Sequence, residues 1–218
     1  MELFKHTLYI NLDERGDRRF HVENELQKMS INGVRFPAKK TNDGAVGCTL
    51  SHIECLQIAK QNNYPQVFIC EDDIQFLKPE LLKQNINKFN KNKELSNWDI
   101  LMIGGNVCQP YNTTYDYCVK IVNAQTTTGY IVKSHYYDTL INNYKDGLRL
   151  LIKHPNNRRE FALDIYWKQL QPVGNWYIII PLTVTQYPNY SNIENRKTNY
   201  SHLMLDLEKN WLFKNNNK

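Results

Sequence analysis

Short apolar, β-rich runs alternate along this chain with longer amphipathic runs, and that alternation restricts the fold more than any other feature. HTLYINL (6–12) reads as a first strand, followed by a helix over 17–29 with Phe20, Val22, Leu26 and Met29 on one face. GVRFPA (33–38) is a second strand. TLSHIECLQIAKQ (49–61) is a helix with Leu50, Ile53, Leu56 and Ala59 inward and Thr49 as its N-cap. VFIC (67–70) has the β-branched character of a buried strand, and Pro79 opens the next helix in the position proline prefers. WDILMIGG (98–105) reads as a strand ending in a Gly-Gly turn. Strands follow near 117–122 and 129–133, then a helix near 135–145, an amphipathic helix over 160–171 and a buried strand at 176–180. The expectation is an α/β fold with a mainly parallel sheet, one domain over 1–210 and a frayed tail over 211–218.

With 41% hydrophobic and 12% aromatic residues the chain can bury a sizeable core, which argues against disorder. Its 27 Lys and Arg against 22 acidic residues give a net charge of +5. That balance suits an anionic small molecule or a membrane surface. The positive charge is too dispersed for a nucleic-acid interface, and no motif for one occurs. The five cysteines form no CxxC pair and read as free thiols of a reducing compartment. The N-terminal residues carry no apolar leader, and no apolar run approaches the roughly 20 residues of a membrane span. A cytoplasmic location is therefore expected, with at most peripheral membrane contact through a Lys-rich stretch such as KFNKNKE (88–94).

Residues 68–76, FICEDDIQF, place Glu71, Asp72 and Asp73 directly after the apolar strand. Ligands of open α/β sheets bind at the carboxyl ends of strands, which puts these acids at the mouth of a site. Hard carboxylate oxygens there suit Mg²⁺ or Mn²⁺, with a substrate diphosphate completing the shell. The alternative is that the acids cap the next turn or pair with nearby Lys and Arg. Arg15, Arg18 and Arg19 follow the first strand and run into a helix start, where guanidinium forks match phosphate. The alternative for them is a solvated helix face with local Asp–Arg pairing. No GxGxxG follows the first strand and no GxxxxGK[ST] occurs, which disfavours a dinucleotide fold or a P-loop.

In order, YINLDERGDRR (9–19), GVRFPA (33–38), GAVGCTLSHIECLQIA (44–59), FICEDDIQF (68–76), TTTGYIVKS (126–134), LDIYW (163–167) and PLTVTQYPNYSNI (181–193) resemble glycosyltransferase family 25. These are the lipooligosaccharide-biosynthesis and procollagen-galactosyltransferase-like proteins. The resemblance implies a GT-A-like, Rossmann-like α/β/α sandwich and an inverting transferase. It would take a UDP-sugar donor with Mn²⁺ or Mg²⁺, and a glycan, glycolipid or glycoprotein acceptor. It places Asn11, Leu12, Arg15 and Arg18 at the donor nucleotide and Gly47, Ser51 and His52 along the site. Glu71, Asp72 and Asp73 form the metal-binding triplet, with Asp73 and Glu71 as ligands. Gln186 and Ser191 come from the C-terminal segment.

The acceptor hydroxyl must lose a proton as it attacks, and Asp164, on the otherwise apolar LDIYW segment, is the candidate base. A partly buried carboxylate has a raised pKa, which suits that task. Within its helix the same residue would otherwise cap or pair. His52 is read as lining the site, against the alternative of a satisfied core histidine. Thr126, Thr127 and Thr128 are compatible with plain β-propensity, with a hydroxyl contact to the sugar as the alternative. Two other classes compete: a metal-dependent nucleotidyltransferase or phosphohydrolase, and a non-catalytic carbohydrate- or nucleotide-binding module of the same fold.

Overall fold

The computed structural model of the protein describes residues 2–112, 114–191, 193–194 and 196–211. Its first half contains strands β1 (Thr7–Asn11), β2 (Val34–Pro37), β3 (Gln66–Glu71), β4 (Ile74–Phe76) and β5 (Ile100–Val107). Interleaved with them are helices α1 (Gly16–Lys28), α2 (Gly44–Gln61) and α3 (Pro79–Lys91). The second half carries β6 (Tyr111–Asn112), β7 (Cys118–Ile121), β8 (Ala124–Lys133), α4 (Tyr137–Lys153) and β9 (Trp176–Ile179). Before β9 lie the short helices α5 (Arg158–Phe161) and α6 (Leu163–Tyr166). After it come β10 (Val184–Gln186), β11 (Asn189–Ser191), β12 (Arg196–Thr198) and α7 (Ser201–Met204).

The main sheet runs in the order β2-β1-β3-β8-β5-β9-β7-β6. Strands β2, β1, β3, β5, β9 and β6 point one way, and β8 and β7 run against them. This is the mixed, mainly parallel sheet expected. The apolar character of β3 and β5 follows from burial on both faces. On one face Leu8, Ile10, Val67, Ile69 and Tyr130 pack against α2 and α4. On the other, Tyr9, Phe68, Cys70 and Leu101 pack against α1 and α3.

Helix α3 shows which force dominates. No side chain caps its N-terminus at Lys78, but Leu82, Ile86 and Phe89 are fully buried. Burial worth roughly 1.5–3 kcal/mol per side chain exceeds the ~1 kcal/mol of a missing cap.

Several boundaries differ from expectation. Helix α2 starts at Gly44, where the Asp43 side chain accepts from Ala45 N, and Thr49 lies inside it, donating to Ala45 O at 2.8 Å. Leu50 is half-buried, unlike Ile53, Leu56 and Ala59. Phe20 is 69% exposed; buried Glu25, accepting from Phe76 N at 2.8 Å, shares the inner face of α1 with Val22 and Leu26. Gly104 and Gly105 make no turn. They sit within β5 at register shifts against β8, where a Cβ on Gly104 would come 2.7 Å from Val184 Cγ1. The helix expected over 160–171 is broken at Ala162 (ψ 145°) into α5, α6 and a 3₁₀ turn. Of the tail expected to fray, 212–218 lie outside the described residues, and the Trp211 indole donates to Asp206 Oδ2 at 3.0 Å.

Candidate active site

Strand side chains alternate between the two faces of a sheet. In β3, Val67 and Ile69 face α2 and α4, while Phe68 and Cys70 face α1 and α3. Continuing that alternation sends Glu71 toward α2 and Asp72 toward α1. The three consecutive acids therefore divide between two sets of contacts, although their charges still act on one another.

Asp72 and Asp73 meet Arg18, from the first turn of α1. Arg18 Nη1 donates to Asp72 Oδ1 at 2.8 Å and to Asp73 Oδ2 at 3.2 Å. Asn11, the last residue of β1, donates through Nδ2 to Asp72 Oδ2 at 2.8 Å and accepts from Arg35 Nε at 3.0 Å. The Leu12 carbonyl closes a turn by accepting from Arg15 N at 3.0 Å. Arg15 Nη1 and Arg18 Nη2 both donate to the Tyr190 carbonyl oxygen, at 3.2 and 3.0 Å, and Arg15 also pairs with Asp17 at 2.9 Å. Burial works against the Arg18 cation, but Asp73 and Asp72 outweigh it and raise its pKa. Burial also raises the Asp72 carboxyl, against the pull of Arg18. It pushes Asp73 up to about 7, helped by the Glu71 charge and opposed by Arg18.

Glu71 Oε1 accepts from Thr127 Oγ1 at 2.5 Å and lies 3.4 Å from His52 Nε2 and 3.9 Å from Cys48 Sγ. Burial alone would raise its pKa. His52, Thr127 and Arg18 prevail and hold it below the usual value. His52 is fully buried, with Nδ1 2.9 Å from the Tyr130 hydroxyl, which in turn accepts from Tyr144 at 3.3 Å. It stands behind the site instead of lining it. Asp164 Oδ2 accepts from Thr126 N at 3.0 Å, and burial raises its carboxyl above the ordinary value. The break at Ala162 aims Asp164 at β8, and Thr126 meets it with a left-handed φ of 79°.

Gly47 and Ser51 serve packing. Ser51 is fully buried, accepting from Lys39 N and donating to Gly47 O, both at 2.8 Å, and a Cβ on Gly47 would come 2.3 Å from Lys39 O. Both residues thus hold the stretch after β2 against α2. Gln186 ends β10 opposite Ile74, with its side chain beside Asp73. Ser191 is farther out, accepting from Glu194 N at 3.2 Å. The contacts of Thr126, Thr127, Tyr130 and Arg35 had no distinguishing signal in the sequence. Threonines in a strand and a tyrosine in an apolar run look like ordinary sheet residues.

Asp73 Oδ1 is buried without a hydrogen-bond partner. A buried oxygen lone pair surrounded by excess negative charge fits a hard divalent cation such as Mg²⁺ or Mn²⁺. Asp73, with Asp72 beside it, would hold the ion.

The mixed, mainly parallel sheet covered by helices on both faces is a GT-A-type α/β/α fold, with acids and arginines gathered at the carboxyl ends of β1 and β3. Its likeness to solved structures is one of fold: A197 from STIV (TM-score 0.50, 12% identity, 88% of this chain and 92% of that one). A second is a glycosyltransferase involved in the glycosylation of the major capsid of PBCV-1 (TM-score 0.51, 12% identity, 79% of each chain). The sequence profile of glycosyltransferase family 25 (LPS biosynthesis protein) matches residues 37–152, and the chain belongs to that family. The matched stretch contains Gly47, Ser51, His52 and the acidic triplet; Asn11, Arg15, Arg18, Asp164 and Gln186 fall outside it. A Haemophilus influenzae protein assigned to the glycosyltransferases is 42% identical over 53 residues, 24% of this chain and 19% of that one. A glycosyltransferase 25 family member of Anopheles gambiae is 23% identical over 159 residues, 58% of this chain. The chain thus matches only 19% and 27% of the lengths of these two relatives.

Proposed function

We propose that this protein is an inverting glycosyltransferase that moves a hexose, galactose or glucose, from a UDP-sugar to a hydroxyl of a glycan, glycolipid or glycoprotein. The observation that carries this reading is the buried Arg18–Asp72–Asp73 constellation with the open Asp73 Oδ1 lone pair. It lies at the carboxyl ends of β1 and β3, where ligands of open α/β sheets bind, and its acids lie in the stretch that matches the family. A divalent cation there would stabilise charge developing on the leaving diphosphate.

The chain's own residues divide the remaining tasks. Arg15 and Arg18 orient the diphosphate, exchanging it for the Tyr190 carbonyl oxygen they now share. Asn11 fixes Asp72, and Arg35 fixes Asn11. Glu71 sets the field at Asp73. Asp164 receives the acceptor proton; its raised pKa favours that transfer, and attack from the face opposite the leaving group inverts the anomeric carbon. Residues 1–210 work as one catalytic unit, in the cytoplasm. Among the described residues no helix is long and apolar enough to cross a membrane.

The test is nucleotide release from a panel of UDP-sugars, with and without Mn²⁺. Release selective for one sugar, dependent on the metal and lost in Asp73→Asn, is expected. Pyrophosphate or phosphate release without sugar transfer would replace this reading with nucleotidyl or phosphohydrolase chemistry. Nucleotide binding without release, even with a glycan array as acceptor, would leave a binding module.

A further inference from the structure

A second group of metal-ligating side chains lies on the α2 side of the sheet; of its three members only Glu71 enters the chemistry proposed above, through its charge on Asp73. Cys48 and His52 are four residues apart on α2, so one helical face presents both. Glu71 enters from the end of β3. Cys48 Sγ, His52 Nε2 and a Glu71 carboxylate oxygen all lie within 4.8 Å of one another. The Glu71 Oε1–His52 Nε2 distance of 3.4 Å matches the edge of a tetrahedron around an ion with bonds of about 2.0 Å, and Cys48 Sγ at 3.9 Å would draw in by a few tenths of an ångström on binding.

A second observation points to a ligand. His52 Nε2 is buried with no partner in hydrogen-bonding geometry, although it faces this space. The other ring nitrogen is held at 2.9 Å by the Tyr130 hydroxyl. A partner behind the imidazole, with the front nitrogen open, is the arrangement that orients metal-ligating histidines.

We propose that Cys48, His52 and Glu71 bind a zinc-class divalent cation, distinct from any hard cation at Asp73. A thiolate, an imidazole and one carboxylate select Zn²⁺ or Co²⁺ over Mg²⁺ and Mn²⁺, which take oxygen. On binding, the Cys48 thiol gives its proton to solvent and its sulfur becomes the ligand. The chain supplies three ligands, so the fourth position would be taken by water or another small ligand. Occupancy ties α2 to the end of β3 and engages the carboxylate whose charge acts on Asp73. The proposal does not depend on transferase activity.

The experiment uses the full chain, freed of metal by chelation, with Co²⁺ as a spectroscopic probe and Zn²⁺ as competitor. A near-ultraviolet thiolate-to-cobalt band at one equivalent is expected, abolished by Zn²⁺ and unaffected by excess Mg²⁺. Cys48→Ser should remove the band and weaken Zn²⁺ binding by more than about tenfold, while Cys108→Ser keeps both. As a check on the unaltered protein, one equivalent of Zn²⁺ should protect Cys48 from alkylation, read by mass spectrometry. No thiolate band, a band that survives Cys48→Ser in folded protein, or alkylation of Cys48 unchanged by Zn²⁺ would overturn the proposal.

Discussion

Arg18 Nη1 and Asp72 Oδ1 meet at 2.8 Å across 54 positions of sequence, in a place where both side chains are nearly out of water. Removing one partner of such a pair strands the other's charge. Arg18→Met should cost about 3–5 kcal/mol in urea denaturation at neutral pH. The loss should shrink at acidic pH, where the stranded carboxylates take up protons. A cost that does not change with pH would mean the pair is not what holds this corner together.

The Asp73 carboxyl, raised to about 7 from an ordinary 3.8, gives a pH dependence of definite sign. Between those values the folded state holds a proton that the unfolded chain has released. This residue's contribution to stability therefore falls as pH rises from about 4 to about 7, by up to about 4 kcal/mol in all, and is flat above. Asp73→Asn should be more stable than the parent at pH 8, with the difference vanishing toward pH 4. Parallel stability–pH curves for the two proteins would contradict the assignment.

Asp164→Asn separates chemistry from binding. As the acceptor's base, its loss should lower kcat by about 10²–10⁴-fold and leave UDP affinity intact. Folding stability should hold or rise, since burial already disfavours the charged form. Calorimetry with UDP beside steady-state rates makes the comparison; a matching loss of UDP affinity would place Asp164 in donor binding.

Gly47→Ala tests packing. The new Cβ would stand 2.3 Å from the Lys39 carbonyl oxygen, which is main chain and cannot swing aside. A loss of about 1–3 kcal/mol is expected in thermal or urea unfolding, the usual range for overpacking. An unchanged midpoint would show that the stretch after β2 shifts freely.

The layers of this fold were legible because β-rich and amphipathic runs differ in period, and tertiary packing did not overrule them in β1, β3 or α3. Local chemistry was harder to see. Ala162 is a good helix former, and nothing near it announces an extended ψ; the break accompanies the docking of Asp164 on Thr126 N, a contact made across 38 positions of sequence. Gly104–Gly105 looked like a turn, but side chains from Val184 and Met102 fill the space a Cβ would need, so the strand continues. In the candidate site, charge could be read and direction could not. Three adjacent acids suggested one cluster, whereas strand alternation divides them between Arg18 on one side and His52 on the other.

That division makes the site a readout of strand alignment. A slip of β3 by one position would exchange Glu71 and Asp72 between layers. Arg18 would then face a residue meant for His52, and Thr127 would lose the oxygen it donates to. A single-residue insertion or deletion between Gln66 and Glu71 is therefore a charge rearrangement as much as a packing fault, even where the apolar run stays long enough to form a strand.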